Sequence, residues 1–287
     1  MASEPTISAA PVPKPNIPPT PPPDAVAQLV DFSVLPASDN YTPHFALTID
    51  NLFTPAECES LLKFATASAN DVWEPATIQS GYAQSLVLDK EVRNSDRIIV
   101  DDTEVAEMMF KRIEGYLREY DLGVIGKIPG QVENGDRRRW KTVASTWQTW
   151  KLKRMNERLR FLRYFPGGYF RPHYDGTYVV PGGKERSFIT FQLYLGGTCE
   201  GKDGSTAFVS AREGVEGRID VEPKEGRVLL FQHAGLVHEG SDVVKGVKYT
   251  IRTDVMYEKV EDEEVEFSYG DEDDDDDDDS ENEVLFS

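Results

Sequence analysis

His173 and Asp175 are separated by one residue in the stretch RYFPGGYFRPHYDGTYV, Arg163 to Val179. A period of two puts both side chains on the same face of an extended strand. An imidazole beside a carboxylate is a pair of metal ligands. A second imidazole would complete a two-histidine, one-carboxylate set, which leaves coordination positions open for a bidentate co-substrate and dioxygen and suits non-haem Fe(II). The chain has four histidines, His44, His173, His233 and His238. His238 is the natural third ligand because it closes GRVLLFQHAGLVHEG, where an apolar strand ends in a polar turn. His233 lies in the same stretch, and spacing alone does not separate the two.

The elements that would position these ligands follow from periodicity. From Arg158 the chain reads RLRFLRYF, a Gly167–Gly168 turn, YFRPHYDGTYV, a loop with Pro181, Gly182 and Gly183, SFITFQLYL, STAFV, RIDVEPKEGRVLLFQH and KYTIRTDVMYE. Short strands joined by Gly and Pro turns predict a double-sheet roll or barrel. Upstream, Phe45, Leu47 and Ile49 alternate as in a strand. Thr54, Pro55 and Glu57 then form the N-terminal signature of a helix, a capping box with proline at the first helical position. Its apolar stripe takes in Cys58, Leu61, Leu62 and Ala65, which makes Cys58 a core residue and not a reactive thiol. Asp102 caps a second helix over 103–120, with Val105, Met108, Met109, Ile113, Tyr116 and Leu117 turned inward.

Two regions read less regularly. Residues 73–100 suggest irregular structure with one or two short strands. Residues 121–150 mix turn signals with Arg137, Arg138 and Arg139 and with Trp140, Trp147 and Trp150. Three adjacent charges without a surrounding motif do not make a nucleic-acid site, so this stretch reads as a surface insertion or a family-specific loop.

The ends differ from the middle. PVPKPNIPPTPPPDA makes 1–42 a Pro-rich segment, expected to be extended and disordered. The last 27 residues carry sixteen acidic side chains and no basic one, so without them the formal net charge of −20 becomes −4. The segment 259–287 therefore reads as an acidic disordered tail that repels nucleic acid, with a basic protein partner as its specific use. No long apolar run and no basic-then-apolar leader is present, so no membrane partner is expected. Two cysteines are too few for a disulfide framework, and cytoplasm or nucleus is the expected compartment.

Several ordered features between about 158 and 258 resemble the catalytic domain of the prolyl 4-hydroxylase-type family of Fe(II)/2-oxoglutarate dioxygenases. They are HYD at His173–Asp175, HEG at His238, GSTAFV at Gly204–Val209 with Ser205 in place of a second glycine, and KYTIRTDVMY. The helices between 54 and 120, with Arg93, Asn94 and Arg97 in RNSDR, are similar to its N-terminal support region. The resemblance implies a fold that is mainly β with supporting α-helices, a distorted double-stranded β-helix (jelly roll, cupin-like). One domain would span 43–258, its helical support region at 43–157 and its catalytic roll core at 158–258. It also implies His173, Asp175 and His238 as the iron ligands and 2-oxoglutarate as co-substrate. Lys248, ten residues after His238, would anchor the distal carboxylate with help from the Tyr164 hydroxyl. Lys248, Thr250 and Arg252 share one face of a regular strand, making Arg252 the alternative anchor or a substrate contact. Thr190 and Gln192 are candidates for the co-substrate pocket; Tyr178, Arg186 and Arg97 are candidates for substrate or loop contacts. The loop Asp175 to Arg186 is a candidate closing element.

The expected activity is hydroxylation of a C–H bond, foremost in a peptidyl proline, consuming dioxygen and yielding succinate and CO2, with ascorbate keeping the iron reduced. A missing leader argues against collagen processing in the endoplasmic reticulum. Three alternatives stand beside it: a free amino acid or other small-molecule substrate, a noncatalytic jelly-roll protein recruiting a basic partner through the tail, and a zinc hydrolase on the same ligands. In the last, Lys248 and Tyr164 would lose their purpose.

Overall fold

The computed structural model describes residues 12–35, 44–80, 85–126, 143, 148–211 and 217–261. Strands β1 (Val26–Leu29) and β2 (Ala46–Asp50) precede helix α1 (Pro55–Ser68). Short strands β3 (Glu74–Pro75), β4 (Ile78–Ser80), β5 (Ser85–Val87), β6 (Arg93–Asn94) and β7 (Asp96–Asp101) lead to helix α2 (Thr103–Glu119). Then follow β8 (Val124–Gly126), β9 (Thr149–Met155), β10 (Arg158–Tyr164), β11 (Tyr169–His173), β12 (Glu185–Gly197), β13 (Thr206–Val209), β14 (Arg218–Val221), β15 (Val228–Gln232), β16 (His238–Gly240) and β17 (Lys248–Lys259). The larger sheet runs β1-β2-β15-β12-β17-β10-β7-β3, with β9 on β17 and β8 on β9. The smaller runs β14-β13-β16-β11-β6, and β4-β5 is a separate two-stranded sheet. Every strand pairing is antiparallel. The result is a mixed α/β fold on a large antiparallel sheet, and among the described residues no closed barrel forms.

Both helices begin where their caps require. The Thr54 hydroxyl accepts from Glu57 N while the Glu57 carboxylate accepts from Thr54 N, and Asp102 accepts from Glu104 N and Val105 N. These bonds satisfy amides that have no partner within the helix. α1 packs on β12 and α2 on β9. Cys58 is fully buried in that layer, and burial raises its thiol to about 12, so it is packing and not a nucleophile.

Alternation in the central strands divides the molecule. Leu159 and Phe161 of β10, Phe191 and Leu193 of β12, and Ile251 and Val255 of β17 enter one core with the helices. Their alternate neighbours Arg160, Leu162 and Tyr164, Gln192, and Lys248, Thr250 and Arg252 face the other way and line a cavity between the sheets. Period-two geometry therefore gives one face to stability and the other to chemistry.

Two expectations need correction. The N-terminal segment is not without structure over 12–35: β1 pairs with β2, Ile17 and Phe32 are buried, and Lys14 forms ion pairs with Asp102 and Glu104. Composition measures whether a segment can bury its own surface, whereas this one uses surface supplied by the domain. Arg112, 2% exposed, donates to Pro18 O and Leu52 O and pairs with Glu57 at 2.7 Å. The described residues of 73–100 hold five short strands where one or two were expected, because β3, β6 and β7 form by pairing with distant partners and not by local alternation. Arg137 to Arg139 and the tail beyond Glu261 lie outside the described residues.

Candidate metal centre

His173 ends β11 and His238 begins β16, and the two are direct partners in the antiparallel ladder. That register brings their ring centroids to 4.3 Å. Asp175, two residues past the end of the strand, reaches between them: Oδ1 lies 3.9 Å from His173 Nε2 and Oδ2 3.7 Å from His238 Nε2. The three donor atoms are within 4.8 Å of one another.

Hydrogen bonds on the far side fix which atoms face the centre. His173 Nδ1 lies 2.8 Å from Arg171 O, and His238 Nδ1 lies 3.2 Å from Leu236 O. A carbonyl only accepts, so each Nδ1 carries the proton and each Nε2 presents its lone pair. Burial lowers His173 to about 3 and lowers His238 as well, which keeps both rings neutral. Burial pushes the Asp175 carboxyl up, but the Arg252 guanidinium beside it outweighs this and holds it well below the usual range. Arg252 Nη2 is 3.0 Å from Asp175 Oδ1, and the Thr190 hydroxyl donates to Oδ2 at 2.5 Å. Two neutral imidazoles and an ionised carboxylate, each braced from behind, fit a divalent metal with open positions.

His233 is not part of the group. It is buried with Nε2 3.6 Å from Asp254 Oδ1, so the contest left open by spacing resolves to His238.

A cavity of about 770 Å³ opens on these ligands. Lys248 is 3% exposed, donates from Nζ to Gly204 O at 2.6 Å, and lies 4.4 Å from the centre of the Tyr164 ring. Among the described residues no carboxylate is in ion-pair contact with it. Burial lowers it to about 8. Gly204 has φ +66, and a Cβ there would meet Val243 at 2.9 Å, so the carbonyl that holds Lys248 depends on glycine. Ser205, in contrast, has no positive φ and bonds Asp220, which explains why serine is accepted there.

The remaining predicted residues divide. Gln192 lines the cavity and donates to Thr206 Oγ1 at 2.7 Å. Thr190 does not line it; its hydroxyl is spent on Asp175. Tyr178 and Arg97 line it, whereas Arg186 sits over the Phe188 ring away from the wall. Arg252 is on the wall but committed to Asp175 and Asp254. Arg160 and Asp254 were missed, although both occupy cavity-facing positions that the alternation of RLRFLRYF and KYTIRTD marks.

Residues 159–253, which include all three ligands and Lys248, match the family model described as the 2OG-Fe(II) oxygenase superfamily. The chain is a 2-oxoglutarate/Fe(II)-dependent dioxygenase. No curated protein matches it. Among solved structures, the dioxygenase is similar to a viral collagen prolyl hydroxylase from Paramecium Bursaria Chlorella virus-1, at 19% identity over 74% of this chain and 96% of the other, with a TM-score of 0.47. A Pseudomonas putida prolyl-4-hydroxylase is 16% identical over 76% and 95%, with a TM-score of 0.48. A Trichoplax adhaerens prolyl hydroxylase, solved with a hypoxia inducible factor peptide fragment, is 13% identical over 78% and 89%, with a TM-score of 0.48. The assignment of this dioxygenase rests on the matched segment and the geometry of its ligands. No helix among its described residues is long and apolar enough to cross a membrane.

Proposed function

We propose that this dioxygenase hydroxylates peptidyl proline, with Fe(II) on His173, Asp175 and His238 and with 2-oxoglutarate anchored by Lys248. The observation that carries the co-substrate assignment is Lys248 itself: a buried cation without a carboxylate partner in the same cavity as three metal ligands. Such a cation is costly unless an anion arrives to pair with it. Bound Fe(II) and 2-oxoglutarate together supply the oxidation, in which dioxygen places one oxygen atom in a substrate C–H bond and the other in succinate, with release of CO2.

The chain's own groups do the positioning. The Arg171 and Leu236 carbonyls hold the two imidazole tautomers; Arg252 and Thr190 hold Asp175 ionised and oriented. Tyr164 packs against Lys248 and, in this reading, turns its hydroxyl to the same co-substrate carboxylate; Gln192 supports the pocket with Thr206. A peptide suits the outer cavity because its rim is exposed and apolar, with Tyr174 at 55%, Val179 at 48% and Leu86 at 67% exposure. The two sheets would then be the halves of a distorted double-stranded β-helix. Ascorbate as reductant, action in cytoplasm or nucleus, and a basic protein partner for the acidic tail complete the proposal.

The test is a screen of proline peptides and of free metabolites with Fe(II), 2-oxoglutarate and ascorbate, reading succinate together with the mass gain of one oxygen. Peptide oxidation supports the reading. Mass gain confined to small molecules overturns the substrate class, and no 2-oxoglutarate turnover under any condition overturns the rest.

A further inference from the structure

Three adjacent strands form the wall of the cavity beyond the co-substrate anchor. Register places Lys248 beside Tyr164, Thr250 beside Leu162 and Arg97, and Arg252 beside Arg160 and Ile99. With strands about 4.8 Å apart, Arg97 and Arg160 are diagonal neighbours on one face, Arg97 one same-face row and Arg160 two such rows from the anchor. Arg93 joins them from β6, stacked 4.5 Å over Phe170.

The acidic groups of the cavity do not balance these cations. Asp175 belongs to the metal and to Arg252. Asp254 is shared between Arg252 at 3.3 Å and Arg160 at 3.5 Å. Glu239 is taken by Arg218 at 2.6 Å, and the co-substrate's distal carboxylate would satisfy Lys248. The Arg97 side chain is left with no hydrogen bond or ion pair among the described residues, and its Nε is buried without a partner. Among the described residues the Arg93 side chain has one hydrogen bond, to the Ser95 hydroxyl, and no ion pair. Burial and the neighbouring Arg93 lower the Arg97 guanidinium, so an incoming anion would relieve both costs. A planar guanidinium with free donors is suited to a carboxylate.

We propose that the substrate carries a carboxylate near the oxidised carbon and that Arg97, with Arg160, seats it. On the peptidyl-proline reading, on which this form of the inference rests, that group is an aspartate or glutamate flanking the target proline. Ile78 and Leu86 of the β4-β5 sheet stand on the same rim as Tyr174 and Val179, so apolar contacts border an arginine-lined floor. An acidic side chain pointing down and apolar neighbours pointing sideways would fill that shape.

The experiment is binding without turnover. Full-length protein loaded with Fe(II) and 2-oxoglutarate in the absence of dioxygen is titrated into fluorescein-labelled single-proline peptides flanked by aspartate, asparagine or lysine, read by anisotropy. N-acetylaspartate and N-acetylproline are titrated in parallel by calorimetry. The aspartate peptide should bind about tenfold more tightly than its asparagine isostere. Arg97→Gln and Arg160→Gln should each bring that ratio to about twofold, Arg97→Lys, which keeps the charge and loses the planar fork, should keep only part of it, and Arg118→Gln on the outside of α2 should keep all of it. Thermal melting of each variant confirms folding. Equal binding of the aspartate and asparagine peptides, or a preference that survives both glutamine variants, overturns the proposal. Arg97-dependent binding of N-acetylaspartate without any peptide binding keeps the carboxylate seat and overturns the peptidyl reading. No binding by peptide or small acid overturns the seat.

Discussion

Arg252 Nη2 lies 3.0 Å from Asp175 Oδ1, so the carboxylate of the metal triad is already in an ion pair supplied by β17. The same guanidinium is 3.3 Å from Asp254, which is 1% exposed. Replacing Arg252 by Met leaves two buried carboxylates short of a counter-charge. Breaking a buried pair in this way costs about 3–5 kcal/mol, or roughly 10 °C in Tm for a domain of this size. A divalent cation restores charge to Asp175, so Mn(II) should raise the Tm of Arg252→Met by more than it raises that of the unmodified protein. Equal metal-induced shifts in differential scanning calorimetry would count against the clamp.

Thr190 braces the other oxygen of Asp175. Thr190→Val keeps the shape and removes the donated proton, and loss of such an outer contact typically weakens metal affinity by about 10-fold to 100-fold. His233→Ala should leave the metal affinity within about threefold because His233 lies outside the ligand group, while His173→Ala should abolish binding. Competitive titration of Mn(II) separates these three outcomes.

Lys248 makes both co-substrate affinity and stability depend on pH. Its pKa in the folded protein is lowered to about 8 by burial. Only the ammonium pairs with a carboxylate, so 2-oxoglutarate affinity should be flat below about pH 8 and fall by up to about tenfold per pH unit above it. Between about 8 and the ordinary lysine value of 10.5 the unfolded chain binds the extra proton, so this lysine makes the co-substrate-free protein gain stability as pH rises through that window. Lys248→Met should flatten both profiles. Calorimetric titration across the range decides it, and an unchanged pH profile in Lys248→Met would exclude Lys248 as the anchor.

Arg112 joins the N-terminal segment, the loop before α1 and the α1 cap. Arg112→Met strands Glu57 and two carbonyls in a largely buried site, with an expected loss of about 3–5 kcal/mol. Urea unfolding measures the loss. Limited proteolysis should then cut within residues 12–35 faster than in the unmodified protein; an unaltered cleavage pattern would show that the segment is held by β1 alone.

The sequence was most legible where structure is set locally. Thr54 with Glu57 and Asp102 announced both helices because a cap is a contact between residues two or three apart. His173 and Asp175 were legible as a pair from their spacing, but the strand ends at His173, and Asp175 reaches the centre from two residues beyond it and not from a shared strand face. The contest between His233 and His238 was not legible, because it depends on β16 pairing with β11 across the smaller sheet. Thr190 was placed on the right strand and the right face, yet its hydroxyl goes to Asp175 and not to the pocket, a choice made by a side chain fifteen residues away. The N-terminal segment was misread because its order is borrowed from Arg112 and β2.

β17 carries Lys248 and Arg252 on one face and Ile251 and Val255 on the other. Inserting one residue after Lys248 would send aliphatic side chains to the metal and charges to the core in a single step, whereas inserting two would restore the pattern. Mutational drift in this strand is thus confined to substitutions and paired length changes, and the catalytic apparatus cannot be lost by a frame slip without the fold being lost with it.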